Sequence, residues 1–223
     1  MEEANKTVVS EFIFQGLCTS RELQIFLLMP FSALYLMTVI GNLFVVILII
    51  IDRHLHSPMY FLLAHLSFID FCLSSVTTPK LTTDLLKGNK TISFGGCMSQ
   101  ILCVHFFGGG EMVLLVTMAY DRYVAICRPL HYTSIMDTQI LTVQLHSKDG
   151  SSKALSTCTS HIIVVVLFFG PCIFIYLWPV SITWVDKFLA VFYTVITPLL
   201  NPAIYTLRNK DIKNAVKKLK NHR

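Results

Sequence analysis

Hydrophobic residues in this chain fall in long runs separated by short polar stretches. Leu23 to Ile51 contains no charged side chain. That run exceeds the roughly 20 residues a helix needs to cross a bilayer. Four more runs read the same way: Pro58–Pro79, Phe94–Ala119, Leu155–Trp178 and Phe188–Leu207. The second and third runs each hold one acid, Asp70 and Glu111. The pattern predicts an all-α membrane protein with about five transmembrane helices.

The polar stretches divide these spans. Residues 1–22 form an N-terminal tail, and Asp52-Arg53-His54-Leu55-His56 makes a tight turn. Ser57-Pro58 opens the second span, with proline at a tolerated first-turn position. Pro79 is expected to mark its far end, followed by a loop over 80–96. The third span closes on Tyr120-Asp121-Arg122-Tyr123. Residues 128–154 are a polar linker with a Lys148-Asp149-Gly150-Ser151-Ser152 turn cluster. Pro179 closes the fourth run, and Asp186 and Lys187 lie in the short loop after it. In the tail, 208–223, Ile212, Ala215, Val216 and Leu219 share one helical face among lysines. This suits an amphipathic helix on the inner leaflet, drawn to anionic lipid; a frayed basic tail is the alternative.

Composition agrees with the pattern. Of the 223 residues 54% are hydrophobic and 14% charged, with a mean hydropathy of +0.63. A soluble domain carries about 25% charged residues. Basic residues orient the spans. With the N-terminus outside, Lys6, Arg21, Lys80, Lys87, Lys90 and Lys187 lie outside, six against the twelve others inside. The acidic start Met1-Glu2-Glu3 and the length of the first run argue against a cleavable signal peptide. The sequons at Asn5 and Asn89 then fall outside, where glycosylation takes place. None of the seven cysteines has zinc-ligand spacing. No HExxH, P-loop or GxSxG is present, so no enzymatic activity is expected, and neither a cofactor nor a nucleic-acid partner is called for.

Several motifs stand in order: GN at 41–42, LHSPMYF at 55–61, LSFIDFCLSS at 66–75, MAYDRYVAICRPLHY at 118–132, KALSTCTSH at 153–161 and PLLNPAIYTLRN at 198–209. Together they resemble the olfactory receptors of the rhodopsin-like G-protein-coupled receptor superfamily. Members of that family have seven spans. Here the segment resembling the second inner loop runs directly into the one resembling the third. The fourth and fifth spans, with the external loop between them, are absent. Both ends of the junction are cytoplasmic in such receptors, so an even number of lost spans leaves every later segment in its original orientation.

The resemblance implies roles for particular residues. Asp121 pairs with Arg122 at rest, and Arg122 faces the G protein when the bundle opens, with Tyr123 completing the motif. A guanidinium suits this role because it stays charged and exchanges hydrogen-bond partners. An interfacial anchor is the alternative. Asp70 and Glu111 would each cost about 2.5–3.5 kcal/mol at mid-bilayer if turned to lipid. The resemblance gathers them with Asn42 and Asn201 around a candidate sodium ion; a protonated, hydrogen-bonded polar core is the alternative. Pro202 removes one backbone hydrogen bond, and the resemblance makes Asn201, Pro202 and Tyr205 part of the switch. It places the odorant cleft near Val104, His105, Gly108 and Gly109 of the third span and Phe169, Cys172 and Tyr176 of the fourth run. Ordinary helix packing explains these residues equally well. Cys97 matches a family cysteine whose partner lies on the absent loop. It is either free or bonded to Cys18.

The function implied is that of an odorant receptor. It couples a small volatile ligand to a heterotrimeric G protein of the stimulatory olfactory type, at the plasma membrane, with lipid and other receptor copies as partners. The missing spans predict impaired signalling. Two alternatives are a non-signalling truncated receptor retained in the endoplasmic reticulum and a five-span cation channel or carrier using Asp70 and Glu111.

Overall fold

The computed structural model describes residues 9–88, 90–127, 166 and 183–221. The run Leu155–Trp178 and the linker 128–154 lie outside the described residues, apart from Val166. So do Asn5, Asn89, Phe169, Cys172 and Tyr176. Among the described residues, four helices are long and apolar enough to cross a membrane. The chain is an all-α membrane bundle.

Helices α1 (Arg21–Ile51), α2 (Pro58–Lys87) and α3 (Phe94–Cys127) follow one another. The last span is built from α4 (Thr183–Val191), a wide π turn at Phe192–Ile196 and α5 (Thr197–Arg208). A final helix, α6, covers Lys210–Asn221. Helix α2 packs against α1, α3 and α5, and α5 also packs on α1.

Between α1 and α2 the chain turns within a few residues. The Asp52 backbone N–H donates to the Leu48 carbonyl at 3.0 Å, and the Asp52 carboxylate accepts from the His54 N–H at 3.0 Å. Pro58 then occupies the first turn of α2, where its missing N–H has no intrahelical partner to lose.

Pro79 does not end the second span. Helix α2 runs through it to Lys87. Prolines are tolerated inside membrane helices. Here the Thr82 and Thr83 hydroxyls donate to the Pro79 carbonyl at 3.0 and 2.7 Å. Gln100 of α3 donates to the Val76 carbonyl at 3.2 Å. The helix ends instead on Gly88, whose φ of 71° is the left-handed conformation of a helix cap. The Gly88 N–H returns to Asp84 at 2.9 Å. Arg21 completes the cap, its guanidinium donating to the Leu85 and Leu86 carbonyls at 3.0 and 2.6 Å.

The N-terminal segment is likewise more than a tail. Strand β1 (Glu11–Ile13) pairs antiparallel with β2 (Thr91–Ser93), Phe12 opposite Ile92. Lys90 donates to the Cys18 carbonyl at 2.9 Å. Its side chain crosses Gly16 so closely that a β-carbon there would lie 2.7 Å from Lys90 Cε. This ribbon closes one end of the bundle. Asp121 and α6 mark the other, called here the tail end.

The main core lies toward the tail end. Val45, Leu48 and Ile49 of α1 meet Leu63 and Leu66 of α2, Leu115 and Met118 of α3 and Tyr205 of α5. Ile212 and Ala215 of α6 join the same cluster. The expected lipid-facing side of α6 is therefore turned inward: these two residues are buried in protein, and Val216 is exposed. The Leu219 side chain lies outside the described set. Without a water-driven term between membrane helices, close side-chain packing and interhelical hydrogen bonds hold such a cluster together.

Candidate functional site

The centre of the bundle is polar because α5 contains Asn201-Pro202. Pro202 has no N–H to give the carbonyl four residues before it, that of Pro198. Asn42 of α1 supplies the missing donor, its Nδ2 lying 2.9 Å from the Pro198 oxygen and 3.0 Å from the Thr38 carbonyl. A buried carbonyl released by a kink thus finds a side chain on a neighbouring helix. Asn42 is fully buried, and its Oδ1 has no hydrogen-bond partner among the described residues.

One residue before the proline, Asn201 points its amide at two acids. Nδ2 donates to Asp70 Oδ2 at 3.0 Å and to Glu111 Oε1 at 2.8 Å. The single amide therefore ties α5 to α2 and α3 together. Asp70 is 0% exposed, Glu111 1% and Asn201 2%, so both carboxyl groups sit inside protein rather than toward lipid. The structure brings Asp70, Glu111 and Asn201 into one cluster. Asn42 instead bonds backbone of its own helix and of α5. The donor set is all oxygen apart from the Asn201 amide nitrogen, which suits a hard cation. Tyr205, one turn beyond Pro202, is buried in the main core.

At the tail end of α3, Asp121 is fully buried and Arg122 mostly so. Arg122 Nε donates to Asp121 Oδ2 at 2.8 Å, and Nη2 reaches the same oxygen. The pair is charge-assisted, and its guanidinium keeps donors to spare. Tyr123 is exposed.

The candidate cleft residues are less converged. His105 is exposed, with Nδ1 2.8 Å from the Ile101 carbonyl of its own helix. Val104 and Gly108 are half-buried, and Gly109 is exposed. A β-carbon at Gly108 or Gly109 would meet nothing within 4 Å, whereas at Gly110 it would come within 3.0 Å of Ile69 Cδ1. Of the three glycines, Gly110 is the one that lets α2 approach α3. Cys18 and Cys97 are both free thiols, so the bond between them is not formed.

Sequence reasoning missed three parts of this arrangement: the Pro198 carbonyl as the partner of Asn42, Arg21 as the cap of α2, and Tyr60, which reaches the corner before α6. The Pro198 acceptor was recoverable by counting back four residues from Pro202. The other two depend on contacts between residues more than 60 positions apart.

A sequence model described as olfactory receptor matches residues 31–144 and 137–223, in two pieces that overlap inside the polar linker. Olfactory receptor 4K2 of Homo sapiens is 43% identical over 303 aligned positions, covering 99% of this chain and 96% of the relative. Olfactory receptor 4F5 of Homo sapiens is 45% identical, covering 96% and 97%. Olfactory receptor 4K14 of Homo sapiens is 42% identical, covering 100% and 99%. The first alignment spans 303 positions against 223 residues here, so at least 80 positions of that relative have no counterpart in this chain.

Proposed function

The chain belongs to the olfactory receptor family, and on that premise we propose that it is a shortened odorant receptor with weakened coupling to its G protein. Family membership makes it a multi-pass membrane receptor for odorants rather than an enzyme. The finer reading is our own. A small volatile ligand enters beside α3 and displaces the run Leu155–Trp178. The Asp121–Arg122 pair then opens toward a G protein of the stimulatory olfactory type. The N-terminus lies outside the plasma membrane, Asn5 and Asn89 carry glycans there, and the exposed lysines of α6 sit against anionic lipid.

The observation that carries this reading is the Asn201 amide shared between Asp70 and Glu111. It joins three helices at the proline of the last span, so movement at either acid is transmitted to Pro202. It also weighs against a five-span cation path, because the two acids converge on one amide instead of spacing along a channel. A sodium ion fits the same oxygens if Asn201 presents Oδ1 in place of Nδ2. When bound, the ion would offset one of the two carboxylate charges, with Asp70 and Glu111 the residues that would hold it.

Weak coupling follows from the missing length. We place the lost positions at the linker, where the two family matches overlap, so that α3 loses packing neighbours. Loss of packing neighbours also favours retention in the endoplasmic reticulum. A cyclic-AMP assay should compare this chain with a version carrying the two spans restored, alongside surface labelling of an N-terminal tag. The shortened chain is expected to respond well below the restored one. An equal response would overturn the weak-coupling reading, and full surface labelling would overturn retention.

A further inference from the structure

Tyr60 stands in the first turn of α2, with its ring buried in the main core. Its hydroxyl lies 3.1 Å from Asn209 Oδ1 and 3.0 Å from Asp211 Oδ2. Asn209 sits at the corner between α5 and α6. Its Oδ1 also accepts from the backbone N–H of Asp211 at 2.8 Å and of Ile212 at 3.3 Å, capping α6. One phenol therefore links the start of α2 to the corner that follows the switch segment.

A second link joins the same two helices. Asp70 lies ten residues beyond Tyr60, about 15 Å along a helix, and it accepts from Asn201. Asn201 precedes Asn209 by eight residues. Because α2 and α5 run antiparallel, the two links hold the segment 201–209 at both ends. Pro202 and Tyr205 lie between them. A change of kink at Pro202 that displaces the corner must break the Tyr60 link. That link is one hydrogen shared by two acceptors, and Asn209 keeps its capping role when it is lost.

We propose that Tyr60 is a positioning residue whose hydroxyl pins the α5–α6 corner to α2, and that release of this pin is a step in moving the Pro202 segment. The proposal rests on reading 201–205 as the switch. It differs from the cluster around Asn201 in holding the far end of the segment.

The test is amide hydrogen exchange on the full chain in lipid nanodiscs, without ligand or G protein. Tyr60→Phe keeps the ring and its packing and removes the oxygen. Peptides covering 206–216 are expected to exchange on the order of tenfold faster, with peptides of α1 unchanged. In a background of Asn209→Ala with Asp211→Ala, where both acceptors are gone, Tyr60→Phe is expected to add nothing. Wild-type exchange over 206–216 in Tyr60→Phe would overturn the pin, as would an equal acceleration in both backgrounds. Because exchange is read without ligand or G protein, failure of the pin is distinguishable from failure of the receptor reading, which a silent cyclic-AMP assay would report.

Discussion

Replacing Asn42 by alanine tests whether this side chain stands in for the N–H that Pro202 lacks. The substitution removes two donated bonds. The Thr38 carbonyl retains its own helical donor, the backbone N–H of residue 42, so little is lost there. The Pro198 carbonyl lacks its regular helical donor, because that donor would be residue 202. Leaving a buried carbonyl unpaired costs about 1–3 kcal/mol, and measured bonds between membrane helices reach only about 1.7 kcal/mol. The expected loss is therefore about 1–2 kcal/mol. In a Pro202→Ala background the N–H returns, and the same substitution should cost less than about 0.5 kcal/mol by this reasoning. Reversible unfolding of the four proteins in mixed micelles gives the coupling energy directly. If Asn42→Ala costs the same with proline or alanine at 202, Asn42 does not serve the kink and the argument fails.

Three other outcomes follow from the same geometry. Asn201→Leu strips both buried acids of their shared donor and should destabilise by about 2–4 kcal/mol; a loss under half that size in the same unfolding assay would mean the acids are satisfied elsewhere. Gly110→Val should lower stability by about 1–3 kcal/mol through overpacking against Ile69, whereas Gly109→Ala should be neutral or gain up to about 1 kcal/mol from helix propensity. Reversal of that order would show the α2–α3 approach lies at another glycine. Arg21→Met uncaps α2, and hydrogen exchange at residues 84–88 should rise severalfold while the tail end stays constant. Unchanged exchange there would mean that Gly88 caps the helix alone.

Much of the molecule was legible in the chain alone. Charge-free runs of about 20 residues or more specify membrane helices, because a helix satisfies its backbone groups within the one segment. Asp70 and Glu111 announced a polar interior, since a carboxyl turned to lipid is costly. Pro202 announced an unpaired carbonyl. The motif order pointed to the family and to missing length at the linker, where the two family matches overlap. What local pattern could not decide were the pairings across helices. Pro79 reads as a stop by its own chemistry, yet the helix continues through it and ends on Gly88. Ile212 and Ala215 make a face whose spacing is the same whether it meets lipid or protein. Only the packed bundle turned it inward. Which donor takes the Pro198 oxygen, which arginine caps α2 and which tyrosine holds Asn209 are matters of distance between remote residues. Those distances exist only once the helices have packed.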